Sequence, residues 1–542
     1  MFHSYKYLAF FFSIAIFLVS CYNSQKEHGR YFHYNEVTGI VSLDPAFAKN
    51  QSIMWPVHQL YNTLVEVDSN LELKPSLSKH WTISEDRKTY LFYLRNDVFF
   101  HNDAAFPNGR GRKLTAYDVV YSFLRLRDPK TASPGAWIFN NKIDSQGFKA
   151  LNDTVFQLKL LRPYQPILGI LSMQYCSIVP REAIEKYGKD FRRHPVGTGP
   201  FQFVAWEEGQ ALILKRNPVY FERDSLGRRL PYLDGIKVSF NDSRATEFLL
   251  FRQGKLEFIN DIDASFKDEV LTKQGKLRRN WEGKVILQTH PYLNVEYFGF
   301  LVDSSNALVK QSPTQYKKLR QAINYGFDRG KMILYLRNSI GIPANSGFVP
   351  AGLPSFDSSK VKGYHYNPEL ARKLLQEAHF GAGNPPPPIK LVSIPVYAEM
   401  ADYVAKQMEE IGIRVEVEIV QKSFLLEMTS NSRALFFRGS WIADYPDAEN
   451  YLSVFYSKNP APPNYTRYRN PAFDDLFEKA LAETNDTLRY QLYRSADQLV
   501  IDDAPVVPLW YDVVIRLVQP NVEGFKPNAL NLLELRHVRI MN

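Results

Sequence analysis

Residues 389–420 read as strand, helix and strand, and this order restricts the fold more than any other feature of the chain. Ile389-Lys-Leu-Val-Ser-Ile394 is a short apolar run after the stiff prolines 385–388. Met400, Val404, Met408 and Ile411 then recur at helical spacing, and Gly412 supplies a stop. Ile413-Arg-Val-Glu-Val-Glu-Ile-Val420 alternates apolar and charged residues, the period of a half-buried strand. Two strands joined by a helix pair in parallel through a right-handed crossover, which makes this part of the chain α/β. Upstream, Asn367-Pro368 opens another helix with a capping side chain and a proline at the first helical position. Residues 316–335 give a helix pair interrupted near Phe327-Asp-Arg-Gly330.

The earlier chain is richer in strands. Thr89–Leu94 and Thr154–Leu160 are short alternating or aromatic runs. Between them Thr115-Ala-Tyr-Asp118 resembles a capping box ahead of Val119, Val120, Phe123 and Leu124, which suggests a small α+β unit. Gly197-Thr-Gly-Pro200 reads as a tight turn, because no Gly-Lys-Ser/Thr follows to make it a phosphate loop.

Lys6 precedes an apolar run, Tyr7–Val19, of 13 residues. A membrane span needs about 20, so the run fits the core of a secretion signal. It ends in Leu18-Val-Ser-Cys21, similar to the bacterial lipobox, whose cysteine is acylated and becomes the mature N-terminus. The only other cysteine, Cys176, lies in an apolar stretch, and a buried inert thiol is expected there. With Cys21 lipidated no intramolecular disulfide can form, so core burial must hold the chain together. The net charge of +9 on 542 residues is modest and spread out, with no basic stripe interleaved with exposed aromatics, so nucleic acid is not expected as a partner. No His-Glu-x-x-His and no Gly-x-Ser-x-Gly occurs, and the 11 histidines show no ligand spacing. Neither an enzyme nor a metal or cofactor site is expected.

The segment richest in recognition chemistry is Ser440-Trp-Ile-Ala-Asp-Tyr-Pro-Asp-Ala-Glu-Asn450, which follows the strand-like Ala434-Leu-Phe-Phe437. A carboxylate beside an aromatic wall suits a ligand ammonium group, through a charge-assisted hydrogen bond and a cation–π contact. The plainer alternative is a capped turn, with Asp447 and Asn450 capping a helix that begins near Tyr451 and Trp441 in the core.

Several motifs, taken in order, resemble one family. They are Ser42-Leu-Asp-Pro45, Leu60-Tyr-Asn-Thr-Leu64, Lys74-Pro-Ser-Leu-Ser-Lys-His-Trp81, Leu94-Arg-Asn-Asp-Val-Phe-Phe-His-Asn102 and Leu114-Thr-Ala-Tyr-Asp-Val119. Gly197-Thr-Gly-Pro-Phe201, Arg216-Asn-Pro-Val-Tyr-Phe221, Leu230-Pro-Tyr-Leu-Asp-Gly235, Leu319–Arg329 and Ala504-Pro-Val-Val-Pro-Leu509 follow. The chain resembles the extracytoplasmic solute-binding proteins of peptide-type ABC transporters, the oligopeptide- and dipeptide-binding lipoproteins of solute-binding protein family 5.

The resemblance implies a periplasmic-binding-protein-like flytrap, two lobes with two chain crossings, plus an additional α+β domain. The expected division is 1–20 signal peptide, 21–63, 179–290 and 509–542 lobe I, 64–178 additional domain, and 291–508 lobe II. Hinge strands are expected near Tyr292–Phe300 and Val506–Leu509. It also implies that Asp444 meets a peptide's α-ammonium and that Trp441 and Ser440 line the site. Arg438 is expected to face a ligand carboxylate, and Asn50 and Gln51 to lie on the opposite wall, where this chain lacks the Glu-Gly pair of well-known peptide binders. The implied protein is a monomer, lipid-anchored at the periplasmic or outer face of a bacterial membrane through Cys21, that delivers peptides to a permease. Other ligands occur within the same fold, namely nickel complexes, haem and oligosaccharides, and so does a surface-sensor role.

Overall fold

The computed structural model describes residues 30–541, so Cys21 and the signal-like run lie outside the described residues. The β-α-β expectation holds. Ile389–Ser393 and Val415–Ile419 pair in parallel, joined by the helix Ala398–Glu410, and Gly412 ends the helical run at φ +89°. That helix buries Ala401, Val404 and Met408, and side chains of Val and Met size are worth roughly 1.5–3 kcal/mol each when removed from water. Asn367 caps the helix Pro368–Glu377 by accepting from the Leu370 N–H. The interruption at 327–330 separates the helices Lys317–Tyr325 and Arg329–Arg337, the second capped by Asp328.

Three larger sheets organise the molecule. One holds Tyr31–Asn35, Gly235–Ser239, Ala211–Arg216 and Phe201–Glu207 in that order, so the first described strand pairs with one about 200 residues later. A second, wholly antiparallel, orders Ser78–Ile83, Thr89–Leu94, Val155–Leu160 and Ile143–Asn152. The helix Ala116–Arg127 covers it and packs Phe123 edge-on against Phe156 at 5.6 Å. The Asp118 carboxylate accepts from the Thr115 N–H at 2.8 Å, as the capping-box pattern suggested.

The third sheet runs Phe258–Asn260, Val506–Val518, Ile286–Phe300, Phe436–Ile442, Ile389–Ser393, Val415–Ile419, with Ile342–Pro343 also against Val506–Val518. Its two long strands connect the lobes. One end of the pair bonds to Phe258–Asn260, and the other end of Ile286–Phe300 bonds to Phe436–Ile442. Between them the ladder slips twice: Pro291 pairs with Val513 but Val295 with Tyr511, and Glu296 pairs with Trp510 but Tyr297 with Pro508. Bulges bend and twist a strand pair, so the pair is bent at these two places. The two strands, Ile286–Phe300 and Val506–Val518, are longer than the expected Tyr292–Phe300 and Val506–Leu509. The fold is thus α/β, a two-lobed flytrap with an extra α+β domain.

One reading gains detail and another holds. Gly197 and Gly199 serve close backbone approach: a Cβ on Gly197 would lie 2.1 Å from the Leu60 carbonyl oxygen, and one on Gly199 2.4 Å from the Leu60 carbonyl carbon. Cys176 is fully buried, and that burial pushes its thiol pKa upward, away from reactivity.

Candidate ligand-binding site

Strand Phe436–Ile442 lies antiparallel to Ile286–Phe300, with Val295 opposite Trp441, Glu296 opposite Ser440 and Phe298 opposite Arg438. Alternation puts Arg438, Ser440 and Ile442 on one face and Phe437, Gly439 and Trp441 on the other. Gly439 makes room for the Tyr297 ring, which a Cβ there would approach to 2.5 Å. The Ala443 N–H still donates to Leu293 O at 2.9 Å, and Asp444 is the first residue beyond that bond. The loop is then fixed from behind. Asp447 accepts from the Glu449 N–H at 2.9 Å and pairs with the buried Arg489 guanidinium. Tyr445 packs over Gly169 of the 64–178 segment, its hydroxyl 3.3 Å from that of Tyr164 and bonded to Glu449. Burial raises the Glu449 carboxyl pKa to about 7.

The plainer sequence alternative does not hold in detail: the helix is the short Glu449–Leu452, its N-cap position is Ala448, Asp447 precedes it and accepts from the Glu449 N–H, and Asn450 lies inside it. Asn450 has a different part. Its Oδ1 accepts from Trp441 Nε1 at 2.9 Å and its Nδ2 reaches Asp444 Oδ2 at 3.5 Å, so one amide orients both the indole and the carboxylate. Trp441 is half-buried rather than in the core, and the Asp444 side chain is open to solvent. Protein nonetheless surrounds this carboxyl closely enough that desolvation raises its pKa, with the Asn450 hydrogen bond acting in the opposite sense. Because water reaches the group, this is partial desolvation and not burial in a core. Among the described residues Asp444 makes no ion pair. Its charge is felt by Tyr175, whose phenol pKa is raised first by burial and then by Asp444.

Arg438 sits in a different environment. Its Nη2 donates to Glu296 Oε2 at 2.5 Å, and the two side chains are 10% and 3% exposed. The guanidinium carbon lies 3.9 Å from the centre of the Tyr397 ring, and the Tyr397 hydroxyl donates to Glu296 Oε1 at 3.0 Å. Burial raises the Glu296 carboxyl pKa, Arg438 lowers it, and Asp512 raises it again. Asp512 has its own cation, Arg337 at 2.9 Å, and Asn294 bridges the two acids. Glu296 carried a signal in the sequence, a lone carboxylate inside the apolar run Tyr292–Phe300.

The other expected residues are separate from Asp444. Ser440 is half-buried on the face of Arg438. Asn50 caps the helix Gln51–Leu60, accepting from the Ile53 N–H at 3.3 Å. Gln51 accepts from Asn531, which itself accepts from the buried Arg516. No hydrogen bond among the described residues joins Asn50 or Gln51 to the Asp444 group. A cavity of about 700 Å³ lies elsewhere, between His58, Glu66, Glu222 and Arg536, and its acids are internally paired: Arg536 bridges Glu66, Glu222 and Glu534.

Residues 72–463 match the family of bacterial extracellular solute-binding proteins, family 5 Middle. The chain belongs to this family. As a family 5 solute-binding protein it is 25% identical to the dipeptide-binding protein of Escherichia coli, over 89% of each chain. It is 27% identical to heme-binding protein A of Haemophilus influenzae, over 86% of this chain and 84% of the relative. It superposes on the periplasmic murein tripeptide-binding protein in its unliganded open form with a TM-score of 0.80, covering 95% of this chain and 98% of the other at 20% identity. No described helix of the family 5 protein is long and apolar enough to cross a membrane.

Proposed function

We propose that this protein captures peptides outside the cytoplasm and passes them to the permease of an ABC transporter, acting by binding and not by catalysis. The observation that carries the reading is Asp444, a carboxylate just beyond the end of a sheet strand with an aromatic neighbour, held by Asn450 and lacking a cation of its own among the described residues. A peptide α-ammonium supplies that cation. Trp441 gives the aromatic wall, Ser440 lies beside it on the strand, and Asn50 and Gln51 face the ligand from the first lobe. Main-chain pairing then holds peptides of different sequence, as in strand addition. The domain division expected from the sequence, lipidation at Cys21, a monomeric state and a location at the membrane surface belong to the same proposal. Similarity to a heme-binding protein favours a second reading, a non-peptide solute in the same cleft.

Calorimetry with a free and an Nα-acetylated tetrapeptide separates them. Removing one partner of a desolvated charge pair costs about 2–5 kcal/mol, so Asp444→Asn should weaken free-peptide binding by about 30-fold to several thousand-fold. The wild type should bind the acetylated form poorly, and the variant should discriminate less. Unchanged affinity in Asp444→Asn removes the residue from the site. Failure of the wild type to bind either form transfers the cleft to a non-peptide solute.

A further inference from the structure

The cations of the second-lobe wall are already compensated. Arg438 is paired with Glu296 at 2.5 Å and Arg337 with Asp512 at 2.9 Å. Glu296 cannot swing aside to release Arg438, because donors from three elements hold it. Its Oε1 accepts from Asn294 Nδ2 at 3.1 Å, on its own strand, and from the Tyr397 hydroxyl at 3.0 Å, just before the helix Ala398–Glu410. Its Oε2 accepts from Arg438, on the neighbouring strand. The guanidinium in turn lies on the Tyr397 ring. Arg438 Nε has no partner among the described residues, so the group keeps capacity to donate a hydrogen bond while its charge is cancelled.

A ligand carboxylate brought to Arg438 would therefore meet Glu296 as well. It would lose its hydration for a site whose net charge is zero, and burying a charge without compensation is unfavourable. At the opposite end of the strand, Asp444 has no such partner among the described residues. The two ends of the wall differ in what they ask of a ligand: a cation at Asp444, no anion at Arg438.

We infer that Glu296 sets the specificity of this cleft by neutralising Arg438, so that binding is indifferent to a peptide's C-terminal carboxylate. The inference rests on the peptide reading above and deepens it. The substrate class is peptides with a free N-terminus and no required C-terminal charge, so amidated peptides and peptides extended beyond the cleft are ligands too. Glu296 acts through Arg438 and is a positioning residue.

The test is calorimetry on the mature protein with one tetrapeptide as free acid, as C-terminal amide and as Nα-acetylated acid. For the wild type the acid and amide should agree within about fivefold, well under the loss expected when a desolvated ion pair is removed. Glu296→Gln keeps the shape and an acceptor for Tyr397 but frees the Arg438 charge. It should prefer acid to amide by more than about fivefold, through tighter binding of the acid, a gain that a merely structural role for Glu296 would not produce. A wild-type preference for the acid above about fivefold overturns the inference and leaves the peptide reading standing, and so does a Glu296→Gln ratio that stays below it. If Glu296→Gln does not fold, as judged by circular dichroism, the wild-type acid–amide ratio alone decides. Binding of none of the three peptides overturns both.

Discussion

In its proposed role Asp444 would tie ligand affinity to pH with a definite sign. In the free protein desolvation raises its carboxyl pKa above the ordinary value, which is about 3.9 for an aspartate. A ligand ammonium favours the ionised form, so the complex has the lower pKa. Affinity is then complete above the free-state pKa and falls as pH drops through it, with protons released on binding in that window. Titrations from about pH 8 to about pH 4.5 should show weakening Kd for the wild type and a flatter profile for Asp444→Asn, and a flat wild-type profile contradicts this role. The closeness of Asp444 and Trp441 was legible because they stand within a short stretch of chain. The pairing of Arg438 was not, since Glu296 is 142 positions away and only the sheet register brings the two together. Asn450 was read as a cap because its part depends on which way the loop folds back, which local spacing does not determine.

The loop that carries Asp444 depends on one ion pair from another element. Arg489, on the helix Asp486–Asp503, pairs with Asp447 and also bonds Asp486, and the Arg489 and Asp447 side chains are 7% and 10% exposed. Arg489→Met would leave Asp447 buried and uncompensated, at a cost of about 3–5 kcal/mol. Chemical denaturation should report that loss, and a change below about 1 kcal/mol, the range of an exposed pair, would show that the loop is held by other contacts. Periodic elements such as the helices Ala398–Glu410 and Pro368–Glu377 could be read from sequence because apolar spacing, caps and stops agree there. The crossing strands could not be bounded, because Pro291 and Pro508 interrupt the pattern. Proline is tolerated in a central strand at a bulge, and both residues sit beside the register slips.

At the scale of the molecule, two crossings between lobes make closure a shift between existing conformations. Small-angle scattering should give a smaller radius of gyration with saturating peptide, and the melting temperature should rise with ligand concentration. An unchanged scattering profile in a sample that binds peptide contradicts closure. Cys21→Ser should release the protein from membranes or stall its processing, and mass spectrometry finding an unmodified mature N-terminus downstream of Tyr22 contradicts lipidation there. Two lobes were legible from the order of motifs, whereas the contact of Tyr445 with Gly169 between distant segments was not, since nothing in either stretch names its partner. One strand, Ile286–Phe300, carries both Glu296 and the slips in the ladder between the lobes. On the inference drawn from Glu296, taste and mechanics are written on the same fifteen residues. On that inference a change of diet at position 296 falls within one residue of a slip in the ladder, so palate and jaw share a single strand.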